Sequence, residues 1–446
     1  MGKEMMPMRW LTIIMAAVLS AILVCASLAG ENLCPEVLLP ALDSAGDTEY
    51  PGGKDAYYPD AAFGSSTGSG QGRDVYLVAW QAGRWLKGDI AACLIGKDGN
   101  VLNDKPIVIS AAKDDQERPK VAFGSGVFLV VWSDLRNEKD YDVYAARVTP
   151  DGKVLDPDGI LISGGTYNQM RPALAFDGEN FLVAWEALQA NNKYQVFCTR
   201  VSANGKVLDP AGVALTSGKA DARYLAVASA GGGRSLVVMN DFAKFGKNAM
   251  VHGGVFVRGG KPTGEELVRQ DKPANIKGGQ ERCNLVNAVT VATGKEGFLL
   301  AYRNAVPEGR GGLNPEFSYQ VVRPDGKREP LQSVTGGQLN TYETGAAWDG
   351  TTYVSAWHNH HLGSYEPPAN KPLCSKVYAC RIDENGKLLT EVGADKSIAV
   401  SGTPANPAQR PALASDGAGT VLIAYERHPE KGDVPIKIGF RLLNAK

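Results

Sequence analysis

Short apolar runs, each four to eight residues long and broken by Gly, Asp and Asn, dominate the chain. Phe181-Leu182-Val183-Ala184-Trp185 is continuous and of strand length, the pattern of a strand covered on both faces. Ala173 to Phe176 is a second run, separated from the first by Asp177-Gly178, a dipeptide suited to the positive φ angles of a tight hairpin. Val196 to Val201 reads as a third strand. Asn204-Gly205 and the Asp209-Pro210-Ala211-Gly212 corner then lead into a fourth, Val213 to Leu215. One such sheet is too small to bury both its faces alone, so copies must stack.

Copies are present. The aromatic residue or Met that ends the second strand recurs at Trp80, Trp132, Trp185, Met239, Tyr302, Trp357 and Tyr425, at spacings of 52, 53, 54, 63, 55 and 68 residues. Third strands recur as DIAACLI from Asp89, DVYAARV from Asp142, VFCTRV from Val196, KVYACRI from Lys376 and KIGFRLL from Lys437; GGVFVRGG and SYQVV stand in their place in units four and five. Seven four-stranded units predict an all-β, seven-bladed β-propeller. Unit seven ends after its third strand, and Val37-Leu38-Leu39 precedes unit one as a spare fourth. The two together predict a ring closed by an N-terminal strand that completes the last blade, in preference to an open solenoid.

Composition adds the compartment. Lys3 and Arg9 precede an apolar run from Leu11 to Ala29, and Ser27-Leu28-Ala29 carries small residues where a signal peptidase reads. The expected organisation is a signal peptide over 1–29 and a single propeller domain over 30–446, placed in the periplasm, in the medium or at the cell surface. Retention of the run as an anchor is the alternative, and cleavage leaves no other segment apolar enough to span a membrane. The chain carries 47 basic and 48 acidic residues, a balance that argues against nucleic acid as a partner. A monomer that meets a polysaccharide or an envelope protein is expected. Cys93, Cys198 and Cys380 fall in third strands of non-neighbouring units and read as buried thiols.

Candidate chemistry lies at the end of the ring where second strands pass to third strands and fourth strands pass to the next blade. Arg118, Arg171, Arg223, Arg282 and Arg410 precede first strands, three of them as Arg-Pro, and Asp134, Glu186, Asp241 and Glu426 follow the second-strand aromatics. One reading is a basic rim that grips an acidic glycan or a carboxylate. The other, favoured because the feature repeats, is an Arg-to-acid tie within each blade. Unit six departs from its neighbours. Trp357 is followed by His358-Asn359-His360-His361, and Glu343 aligns with Arg171 of unit three. Two imidazoles on one side of a strand with a carboxylate beside them fit a divalent metal with an open position. The same trio, Glu343, His358 and His360, fits acid–base catalysis of glycan hydrolysis or elimination. A solvated histidine cluster without a ligand is the simpler reading. His252 and His428 read as isolated. No GxSxG elbow, Walker loop, CxxCH site, GxGxxG turn or sialidase Asp box occurs.

The unit RPALAFDGENFLVAW…DVYAARVTPDGKVLDPDGILIS resembles a repeat found in exported bacterial β-propeller proteins, most closely over Arg118 to Ser217 and more loosely from Pro59 to Lys446. The resemblance implies a propeller outside the cytoplasm and implies no particular activity. Some seven-bladed propellers are polysaccharide lyases, but their catalytic motifs do not align with this chain. The expected function is therefore a non-enzymatic ligand-binding or protein-interaction scaffold, with a carbohydrate-active lyase or hydrolase as the alternative.

Overall fold

The computed structural model describes residues 33–42, 55–65, 73–83, 87–218, 221–241, 251–267, 289–307, 313–334, 340–360, 375–390, 397–401, 407–429 and 435–445. The expected signal segment 1–29, together with Arg282, Cys283, His361 and Cys374, lies outside them, as do the side chains of His252 and His360. The described residues form seven four-stranded antiparallel sheets and no helix, a seven-bladed β-propeller. Each sheet is a meander whose first strand is innermost and packs against the first strands of the two adjacent blades. The last sheet is completed from the other end of the chain. Val37–Leu38 pairs with Lys437–Asn444, with Val37 opposite Phe440. Glu36 reinforces that closure, its Oε1 accepting from Tyr425 Oη at 2.5 Å and from Arg427 Nε at 3.0 Å.

Second strands are the most deeply buried elements; every residue of Val75–Ala82 is buried. The period-two alternation of a strand explains why. Tyr76, Val78 and Trp80 pack toward blade seven, against Leu422 and Ala424, whereas Val75, Leu77 and Ala79 pack toward blade two, against Phe128, Val130 and Trp132. The core thus lies between blades. All seven strand-ending residues, Trp80 to Tyr425, face the preceding blade. The residue after each must then face the following blade, and this parity sets the geometry at the axis.

Two local expectations are corrected in detail. Asp177-Gly178 does not form a two-residue turn: Phe176 pairs with Phe181, so four residues connect the strands. Asp177 Oδ1 accepts the N–H groups of Glu179 and Asn180 at 3.0 and 2.7 Å, and Gly178 takes φ +99°. The arginines expected ahead of first strands lie within them, Arg118 being the third residue of Gln116–Gly124. Cys93, Cys198 and Cys380 are buried free thiols, and Cys34 is half-buried. Burial pushes the Cys93 and Cys198 thiols up to about 12, which leaves them protonated and inert.

Candidate ligand site at the propeller axis

Six of the seven first strands, as far as they are described, bulge near their start, and the bulge turns one residue into the axis; Val289–Thr293 of blade five pairs in unbroken register. Register shifts occur between Tyr57 and Asp60, Glu117 and Lys120, Met170 and Ala173, Arg223 and Ala226, Thr341 and Thr344, and Gln409 and Ala412. In five of these bulges a non-glycine residue takes the left-handed conformation: Tyr58, Arg118, Arg171, Tyr224 and Arg410, with φ from 48° to 54°. Such a conformation costs about 1 kcal/mol per residue and persists where contacts over-determine it. These five residues and Glu343 of blade six line one cavity of about 170 Å³, with Lys120 and the residues that follow each of them.

The contacts that hold this conformation come from the preceding blade. At four joints the residue after the second-strand aromatic faces forward and accepts the N–H of the next blade's left-handed residue. Ser133 Oγ takes Arg171 N at 3.0 Å, Glu186 Oε1 takes Tyr224 N at 2.6 Å, His358 Nδ1 takes Arg410 N at 3.3 Å, and Glu426 Oε1 takes Tyr58 N at 2.8 Å. Where the acceptor is Glu, its other oxygen binds the guanidinium of its own blade: Arg171 Nη1 to Glu186 Oε2 at 3.0 Å, and Arg410 Nη1 to Glu426 Oε2 at 2.7 Å. Both carboxylates are fully buried. Burial works against Arg410's charge, but Glu343 and Glu426 outweigh it and hold the guanidinium above its ordinary range. Burial pushes Glu186 upward while Arg171 and Tyr224 N–H pull it back. Burial likewise opposes the Arg171 charge, yet Glu186 leads the groups that raise it. With both Glu186 oxygens taken by N–H donors, the carboxylate is ionised.

Blade two lacks this tie, and the parity rule says why. Its acid, Asp134, stands two residues after Trp132 rather than one, so it faces backward. It binds Trp132 Nε1 at 2.7 Å and Arg136 Nη2 at 2.7 Å instead of Arg118. Arg118 donates from Nη2 to Tyr58 Oη at 3.0 Å, and its ion pair among the described residues is with Glu117, at 3.8 Å. Its side chain is 32% exposed, against 25% for Arg171 and 27% for Arg410. The Tyr58 ring has Arg118 of blade two at 4.1 Å and Arg410 of blade seven at 4.5 Å from its centroid. Lys120 completes this flank and pairs with Asp60 at 3.2 Å.

The sequence-derived candidates divide accordingly. Arg118, Arg171 and Arg410 come together around the axis. Arg223 does not join them: the bulge puts Tyr224 in the ring position, and Arg223 is held by Asp221 at 2.9 Å and by the Tyr194 ring at 4.5 Å. Arg282 lies outside the described residues. Glu343 takes the position its alignment with Arg171 implied, and it binds Arg410 Nε at 3.0 Å. His358 is buried beneath the same arginine and uses Nδ1 for the tie between blades. When neutral, that imidazole carries its proton on Nε2. Among the described residues no three His, Cys, Asp or Glu side chains are placed to hold a metal ion; the side chain of His360 is not described.

Four residues at this site escape a reading by residue type. Tyr58 and Lys120 were legible in principle, because YPDAAF aligns with RPKVAF and RPALAF. Tyr224 is hidden by the arginine before it. His428, read as isolated, meets Glu426 Oε2 at 3.0 Å.

No protein-family model and no curated protein matches the chain. Solved structures are similar to it at low identity. A protein of unknown function from Dyadobacter fermentans DSM 18053 is 12% identical with a TM-score of 0.49, covering 94% of this chain and 100% of its own. The polysaccharide lyase Uly1 is 9% identical with a TM-score of 0.49, over 93% and 100%. An α-L-arabinanase from Penicillium chrysogenum, complexed with arabinobiose, is 10% identical with a TM-score of 0.44, over 92% and 98%. The likeness is one of fold alone.

Proposed function

We propose that this protein is an exported binding module that takes an acidic saccharide, or another carboxylate-bearing ligand, at the mouth of its axial cavity. The observation that carries the reading is Arg118. It holds a ring position shared with Arg171 and Arg410, yet it lacks the buried carboxylate that claims each of those. A guanidinium with unused donors beside a cavity is a carboxylate receptor of matched geometry. The apolar run from Leu11 to Ala29 behind two basic residues supports placement outside the cytoplasm, where polysaccharides are met.

The engagement of His358 supports binding over catalysis. To act as a base through Nδ1 it would have to release Arg410 N–H and open the joint between blades six and seven. The enzymatic alternative draws on the contact between His428 and Glu426 beside Glu343 and Arg410, which assembles an imidazole, two carboxylates and a guanidinium.

One set of incubations separates the two readings. Purified protein is applied to immobilised acidic and neutral polysaccharides, and both retention and released product are measured. Retention on acidic polymers that is lost in Arg118→Ala, without product, is the expected result. Product that disappears in His428→Ala would make the protein an enzyme, and equal retention on neutral polymers would remove the proposed site.

A further inference from the structure

We infer that the axial cavity reads a bipolar unit end-on, with a carboxylate toward Arg118 and Arg171 and a protonated amine toward Glu343. The inference rests on the binding function proposed above and adds the ligand's second end. Ring order supplies the first argument. Arg118 and Arg171 are neighbours, in blades two and three, flanked by Tyr58 and Tyr224. In a ring of seven, blade six lies half a turn from the joint between blades two and three. Glu343 therefore faces the two arginines across the axis, and among the described residues lining the cavity it is the one carboxylate.

Charge supplies the second. Glu343 and Glu426 share the single guanidinium of Arg410, at 3.0 and 2.7 Å. Two carboxylates on one cation leave that wall short of one positive charge, and His428 makes up the difference only when it is protonated. Glu426 is buried with its oxygens taken by Arg410, Tyr58 N–H and His428. Glu343 is 35% exposed and is an acceptor only, so it offers the open lone pairs. The opposite wall shows donors first: Arg118, Arg171 and Lys120 line the cavity, and Glu186 lies fully buried behind them.

Size supplies the third. The cavity, at about 170 Å³, is smaller than the roughly 300 Å³ at which pockets for drug-sized ligands begin. It has room for one small unit, such as the end of a chain.

The test uses calorimetry with the whole protein at pH 7 and three probes: muramic acid, which has a carboxylate and a free amine; N-acetylmuramic acid, in which the amine is capped; and glucosamine, which lacks the carboxylate. Muramic acid is expected to bind about tenfold more tightly than its acetylated form, the scale of one partly exposed charge-assisted hydrogen bond. Glucosamine is expected to bind more weakly than either. In Glu343→Gln the gap between the two muramic acids should close to within about twofold, while N-acetylmuramic acid keeps its affinity. In Arg118→Gln both should weaken by a similar factor. Equal binding of the two acids by the native protein overturns the bipolar reading and leaves the carboxylate site standing. A gap that persists in Glu343→Gln also overturns it, because bulk and not charge would then be responsible. Failure of both acids to bind overturns the two proposals together.

Discussion

Blade one is joined to its two neighbours in different ways. At the joint with blade seven, Glu426 accepts Tyr58 N–H across the interface, Arg410 from its own blade and His428 from the loop beyond. At the joint with blade two, the equivalent residue is Gln81. It is buried, and its Oε1 has no partner among the described residues. Asp89 lies at the same joint, and burial, reinforced by Asp115, pushes its carboxyl up to about 6. A feature repeated around a ring therefore need not do one job. Where the residue after the aromatic is Glu, its buried carboxylate ties Nη1 of the arginine of that blade to the scaffold. Where the acid slips by one position, as Asp134 does, no buried carboxylate ties the arginine, the feature on which the proposed binding rests.

The sharpest way to break this contrast is to truncate the two acceptors. Glu426→Ala leaves Tyr58 N–H without its acceptor and the half-buried Arg410 guanidinium with Glu343 alone, and is expected to cost about 3–5 kcal/mol for the two losses together. Gln81→Ala removes a carbonyl that accepts nothing and should cost about 1 kcal/mol, chiefly packing. Chemical denaturation of the two variants gives both values. Equal losses would mean that the ties contribute no more than volume. The arginines form the next pair. Arg410→Ala strands Glu426 and should cost about 2–4 kcal/mol. Arg118→Ala should change stability by no more than about 1 kcal/mol while weakening retention on an acidic polymer about tenfold. His358→Ala tests the same logic where the acceptor is neutral. It should cost about 1 kcal/mol by removing the acceptor of Arg410 N–H, with retention unchanged, and His358→Asn should restore part of the loss.

Legibility in the sequence followed the strength of the physical constraint. Strand length, strand count and closure were readable because each second strand must be apolar on both faces and each turn needs Gly or Asp. The ring of arginines was readable as repetition. Parity was not. Asp134, Glu186 and Glu426 look alike as acids after an aromatic, yet an offset of one residue reverses the face of a strand, and only the register shows which acids meet the axis. Arg223 was misplaced for a related reason. The bulge in blade four gives the ring position to the residue after it, and Tyr224 differs in type from the arginines it replaces. His428 was invisible because its partner, Glu426, became important only when the strand was paired.

Asp89 tests the weak joint by pH and carries the smallest expected effect. Its carboxyl sits near 6 in the folded chain, where burial and Asp115 disfavour its charge, against an ordinary value of 3.8. Between those two values the folded protein holds a proton that the unfolded chain has released. Stability therefore falls as pH rises through that window, and the penalty is complete above it. Asp89 is partly exposed, so the full shift overstates the effect; solvent screening reduces it to about 1 kcal/mol. Asp89→Asn should stabilise the protein by about that amount at pH 7 and by almost nothing at pH 4, read as the difference between two denaturation series. A gain of equal size at both pH values would assign the effect to packing. A loss at pH 7 would mean that the ionised carboxylate is held by partners, and that the joint between blades one and two is as well satisfied as the joint on the other side.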